Sequence, residues 1–195
     1  MRVAAFLAVL VGTLVGGCAR EPVEELCPDL AVGDLVVTEV RGPQTPSDDL
    51  GPWVELYNAS GRTIDLIGTK VRFRRKDGSS EVQVLVRENL EVAAGTYVVL
   101  GLFDNASKPT YVDYGFASDF TEAWLAAAAV DVETCGQQID RATYDALPRQ
   151  GTFSLTGAMP PSGSANDDLR QWCTDATMNA ETFPGSPQKP NLACP

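Results

Sequence analysis

Few side chains in this 195-residue sequence have both the type and the spacing to do chemistry. Glu39 and Glu55 lie in two strand-like stretches and form a candidate carboxylate pair, the arrangement that cleaves glycosides when two acids flank the scissile bond. Asp48-Asp49 and Asp167-Asp168 are candidate oxygen donors for Ca²⁺, although no EF-hand or repeat spacing accompanies them. Arg72, Arg74, Arg75 and Lys76 are a basic cluster in an acidic chain, a possible polyanion patch for surface glycan, lipopolysaccharide or extracellular DNA. Each feature has a plainer reading: strand glutamates, solvated loop acids, and the wetted face of a strand. Histidine is absent, which removes Ser–His and Cys–His catalysis, imidazole bases and His-containing zinc sites. No catalytic constellation, cofactor or metal site is therefore expected.

Composition sets the frame for these residues. A 44% hydrophobic content is enough for the core of one domain, and the Gly (17) and Pro (13) content suits a turn-rich fold. The formal net charge of −11 repels phosphate backbones, so nucleic acid is an unfavoured partner.

Arg2 precedes an apolar run over residues 3–15 that is shorter than the roughly 20 residues needed to span a bilayer. It reads as an export signal. The run ends in Val15-Gly-Gly-Cys18, which resembles the bacterial lipobox, with valine where leucine is the norm. The resemblance implies cleavage before Cys18, a diacylglycerol thioether on Cys18, and N-acylation of the new terminus by a palmitate-class chain. Each buried CH₂ contributes about 0.8 kcal/mol, so several chains anchor firmly in membrane lipid. Alanine rather than aspartate at position 19 favours the outer membrane, on either its periplasmic or its outer face. Residues 1–17 are then a signal peptide, residues 18–33 a lipidated tether, and residues 34–195 the domain.

If Cys18 carries lipid, Cys27, Cys135, Cys173 and Cys194 remain, an even number in an exported chain. They imply two disulfides, with three pairings open. No Cys-x-x-Cys spacing supports a zinc site.

The elements that position these residues read mostly as strands. Residues 35–40 are rich in β-branched side chains, and 42–52 carry loop punctuation. Trp53-Val-Glu-Leu-Tyr-Asn58 alternates, with Val54 and Leu56 on one face and Trp53, Glu55 and Tyr57 on the other. Asn58-Ala-Ser-Gly61 is a natural stop. Residues 70–75 and 81–86 alternate around the hairpin signal Asp77-Gly78, and 96–102 form a continuous apolar run. Residues 111–116 suit a short strand. A turn of helix is expected near 121–124, then a hairpin of strands 127–134 and 139–144 turning at Cys135-Gly136. From Leu147 onward the Pro- and Gly-rich chain reads as a loop-rich extension with Trp172 as its apolar anchor. Seven or eight short strands between turn signals indicate an all-β, immunoglobulin-like sandwich.

Several stretches, in order, resemble the lamin tail domain in its bacterial, secreted form. They are Gly33-Asp-Leu-Val-Val-Thr-Glu-Val40, Trp53-Val-Glu-Leu-Tyr-Asn58, Ile64-Asp-Leu66, Ala94-Gly-Thr-Tyr-Val-Val-Leu100 and Gln138-Ile-Asp-Arg-Ala-Thr-Tyr144. The segment around Trp172 and Pro184-Gly-Ser-Pro187 with Asn191 complete the set, which covers about residues 33 to 191. The resemblance implies an immunoglobulin-like fold whose first strand starts near the final hairpin turn. That would pair Cys27 with Cys135 and leave Cys173 for Cys194. It also implies a recognition or structural module: a non-catalytic binding domain for an unknown envelope protein or glycan. The rival expectation is a small envelope hydrolase using carboxylates, with or without Ca²⁺. A cleft of convergent acids would favour the hydrolase; a filled core with loop-covered ends would favour the module.

Overall fold

A computed structural model describes residues 25–47, 49–120, 128–178 and 184–195. Among these the chain is nearly all β. Twelve strands run in order: β1 Leu35–Arg41, β2 Trp53–Asn58, β3 Ile64–Asp65, β4 Lys70–Arg74, β5 Val82–Leu85, β6 Glu91–Val92, β7 Tyr97–Gly101, β8 Tyr114–Gly115, β9 Ala128–Thr134, β10 Gln137–Tyr144, β11 Thr152–Leu155 and β12 Trp172–Asp175. One helical turn, α1 Gly163–Asn166, precedes a 3₁₀ turn at Leu169–Gln171.

The strands form a sandwich. One sheet has the order β12-β11-β1-β2-β7-β8, the other β10-β9-β4-β5, and β3 pairs with β6 in a small third sheet. Alternation explains the core. In β4, Val71 and Phe73 are buried while Arg72 and Arg74 are half-exposed, and Val82 and Val84 of β5 pair opposite the two apolar residues. Val54, Leu56 and Leu100 from the six-stranded sheet meet Val71, Phe73, Val130 and Val132 from the four-stranded one.

The turn after β2 is held by one side chain. Asn58 is fully buried, donates from Nδ2 to the Arg62 and Val92 carbonyls at 2.7 and 2.8 Å, and accepts at Oδ1 from the Ser60 N–H at 2.9 Å. We expect Asn58→Ala to cost about 1–3 kcal/mol in urea unfolding, because the Val92 carbonyl loses a buried donor, while the exposed Arg62 carbonyl keeps the Ser60 hydroxyl at 3.0 Å.

Two bulges lie side by side, between Val37 and Glu39 in β1 and between Gln138 and Asp140 in β10. β1 pairs with β11 only at Glu39 and Val40, so the backbone of Val37 needs other partners. Asp140 accepts from the Val37 N–H at 2.7 Å, and Asn166 Nδ2 donates to the Val37 carbonyl at 3.2 Å and to Asp140 at 2.6 Å. Asn166 is placed by α1, capped by Ser162, and its carbonyl accepts from the Trp172 indole at 2.8 Å.

Two expectations change. The region after Leu147 is not merely a loop-rich extension: β11 and β12 complete the six-stranded sheet, with Trp172 at the start of β12 stacked on Phe153 at 4.8 Å. Of residues 111–116 only Tyr114–Gly115 pairs, parallel to β7. Both faces of β2 are buried, since Trp53 joins Val99, Tyr111 and Val112 in a second cluster outside the sandwich core. The expected helical turn near 121–124 lies outside the described residues.

Candidate functional site

β1 and β2 place Glu39 and Glu55 as direct cross-strand partners, about 5 Å apart at Cβ for such a pair. Both are fully buried. β11, also next to β1, sets Ser154 opposite Glu39 and puts Thr152 on the same face. Glu39 accepts from the Thr152 hydroxyl and, at 2.7 Å, from the Ser154 hydroxyl. Glu55 accepts from the Thr38 hydroxyl at 2.8 Å.

A strap of residues 184–191 closes over this face. The Ser186 N–H lies 3.3 Å from both Glu39 oxygens, and the Gln188 N–H donates to Glu55 at 2.7 Å. Asn191 then donates to the Thr38 and Leu155 carbonyls at 2.9 and 2.8 Å. The approach requires glycine at 185, where φ is +100° and a Cβ would stand 2.7 Å from a Glu39 oxygen. Gln188 also sits at positive φ, 63°, unusual for a residue with a side chain. Among the described residues, every hydrogen bond to the two carboxylates comes from a hydroxyl or a backbone N–H. Burial pushes Glu39 up to about 7 against the donors that oppose it. Burial, then the neighbouring Glu39, raises Glu55 well above the usual carboxylate range. The pair is thus convergent and perturbed but sealed: the strap occupies the space a substrate would need.

The basic cluster is largely neutralised. Arg72 meets Glu133 at 3.1 Å and Glu81 at 3.5 Å, Arg74 shares the buried Asp131 with Arg141, and Lys76 meets Asp145. Arg75 is exposed at the hairpin beside Asp77. The aspartate pairs are similarly ordinary. Asp168 caps the 3₁₀ turn and pairs with Arg170, Asp167 ends α1, Asp49 is exposed, and Asp48 lies outside the described residues. No group of three or more potential metal ligands occurs among the described residues.

Two disulfides staple the ends: Cys27 to Cys135, and Cys173 to Cys194. The first holds residue 27 to the β9–β10 turn; the second ties the tail beyond the strap to β12. Cys18 lies outside the described residues.

Clefts lie at both poles. At the pole where the chain enters β1, Asp140, Ser162, Ser164 and Asp167 line a polar cleft of about 560 Å³. Its Asp140 is already committed to Val37 and Asn166, and burial raises it to about 6. At the opposite pole the loops after β1, β10 and β12 gather, with the Thr45 N–H donating to the Arg149 carbonyl at 2.8 Å. They enclose a cleft of about 410 Å³ lined by Thr45, Pro46, Leu50, Arg149, Gln150 and Met178, among others. Sequence reasoning did not pick out this cleft: it is assembled from three loops far apart in the chain, none with a motif.

Fold and site together define an all-β sandwich stapled by two disulfides, with a buried carboxylate pair and loops clustered at one pole. No protein-family model matches the chain, and no curated protein matches it.

Proposed function

We propose that this chain is a membrane-anchored, non-catalytic binding module of the bacterial cell envelope, an immunoglobulin-like sandwich of the lamin tail type. Cys18 carries the lipid, and the partner is an envelope protein or glycan. The observation that carries this reading is the polarity of the domain. Cys27 is bridged to the β9–β10 turn at the pole where β1 starts, and the loop cleft at Thr45, Arg149 and Met178 lies at the opposite pole. Loops on a rigid sandwich, turned outward, are where binding residues concentrate. Two disulfides fit an oxidising, exported setting.

The hydrolase alternative would draw on Glu39 and Glu55, the acids with raised proton affinity. A catalytic acid must reach its substrate, and both are covered by the strap with their oxygens already occupied.

The test is retention of envelope and extracellular-matrix components at physiological salt by the oxidised chain. The comparison is with Gln150→Arg/Met178→Asp at the distal cleft and Ser164→Arg at the near pole. We expect retention by the parent, a loss of tenfold or more with the distal pair, and none with Ser164→Arg. Equal retention by all three, or none by the parent, overturns the reading.

A further inference from the structure

We propose that Glu39 and Glu55 form a proton-dependent latch that holds the strap of residues 184–191 against the six-stranded sheet and loosens it as pH rises. The geometry is that of a lock. Two acids face each other on adjacent strands, and the strap's backbone engages one with Ser186 and the other with Gln188. Like charges that close, shielded from water, cannot both ionise without a large electrostatic penalty. In the closed state the pair therefore keeps a proton, whereas opening returns both acids to water, where each ionises near the ordinary 4.5.

The strap is tied at both ends. Its two ends are pinned, by β12 before it and by Cys194, joined to Cys173, after it. Opening therefore frees a loop rather than a terminus, and the covering segment stays close enough to reclose. Pro184, the first strap residue, also walls the distal cleft, so the latch reaches that cleft's rim.

Other charged groups around the pair act in the same direction or are engaged elsewhere. Asp175, on β12, adds negative potential at Glu39, and its carboxylate accepts from the Thr177 N–H at 2.8 Å. Asp113 does the same at Glu55 while accepting from the Val99 N–H and the Gln188 amide at 2.8 and 2.9 Å. Tyr97, on β7, is pushed up to about 12, chiefly by burial and then by Glu55, and stays protonated over the range that matters. Arg41, on β1, donates to the Gly51 carbonyl at 2.6 Å. Lys189 is the only charged side chain of the strap itself.

The sign follows from proton counting. Between about 4.5 and about 7 the open state has lost the proton that Glu39 keeps when closed, so the opening constant rises with pH through this window. It levels off once the closed state also ionises, later for Glu55, whose affinity is raised further.

The experiment is hydrogen exchange at the Ser186 and Gln188 amides of the full-length oxidised chain from pH 5 to pH 8, corrected for intrinsic exchange. Protection should fall about tenfold per pH unit for each proton released, so by at least roughly 100-fold between pH 5 and pH 7, and more steeply where both acids release theirs. Glu39→Gln/Glu55→Gln keeps acceptors for the strap but cannot titrate, so its protection should be flat with pH. Should the double variant not fold, Ser154→Ala supplies the control. Loss of a donor that favours the ionised form should extend the falling limb to higher pH. A change of less than threefold in the parent overturns the latch. So does a double variant that keeps the parental slope, or a Ser154→Ala curve that does not move.

Discussion

Replacing both Cys27 and Cys135 with serine should lower unfolding free energy by nearly 5 kcal/mol, and Tm by roughly 10–20 °C for a domain of this size. The bridge closes a loop of 108 residues, and the entropy that a cross-link removes from the unfolded chain grows with the logarithm of that length. It also pins the first described residues. Leu26 packs beside Gly68, where a Cβ would come within 2.2 Å of the Leu26 carbonyl. The Thr134 hydroxyl donates to the Pro28 carbonyl at 3.4 Å. The bridge between Cys173 and Cys194 spans only 21 residues, so its removal should cost roughly 3 kcal/mol on the same reasoning. Guanidinium unfolding of the two serine pairs should therefore rank them in that order. The reverse order would mean that native contacts of the strap, rather than chain entropy, dominate.

What could be read from the sequence, and what could not, divides along physical lines. Trp53 to Asn58 was legible to the residue because period-two alternation runs straight into an Asn-Ala-Ser-Gly stop. The hairpin turning at Cys135-Gly136 was legible for the same reason, a β-branched run broken by a glycine at positive φ. Strands β11 and β12 were not. Each is four residues long and half hydroxyl or acid in composition, Thr-Phe-Ser-Leu and Trp-Cys-Thr-Asp, and sits between proline- and glycine-rich segments. Thr152, Ser154 and Asp175 turn towards a face that is buried because the strap crosses it, and nothing local announces that crossing. The same blindness hid the environment of Glu39 and Glu55. Glutamate in an alternating strand reads as solvent-facing, and its burial here depends on a strap, and at Glu39 on hydroxyls, supplied from more than 100 residues away. The basic cluster was misleading in the opposite way. Its residues are where alternation places them, but Glu133, Asp131 and Asp145 arrive from distant strands and loops to engage Arg72, Arg74 and Lys76.

Trp53→Ala should cost about 3–5 kcal/mol, as much as an interior core truncation, even though Trp53 points away from the sandwich core. The indole is 1% exposed. Val99, Tyr111 and Val112 cover it with help from Leu50 and Phe103. That cover is itself fixed, because the Tyr111 hydroxyl donates to the Leu50 carbonyl at 2.7 Å and its ring meets Phe103 edge-on at 6.4 Å. Alanine would leave a void that these loops cannot close without breaking the Tyr111 bond. Farther along the same face Tyr57 is only half-buried and packs against Tyr97 at 4.9 Å, so Tyr57→Ala should cost no more than about 1–2 kcal/mol. The contrast matters because Glu55 lies between the two aromatics. If the outer face of β2 is a second core, water is kept from Glu55 on the Trp53 side by packing and on the other by the strap. Trp53→Ala should then also lower the proton affinity of Glu55, seen as a fall in its carboxyl midpoint by ¹³C NMR. A loss below 1 kcal/mol with an unmoved midpoint would mean that the outer face is wetted and that the strap alone isolates the acids.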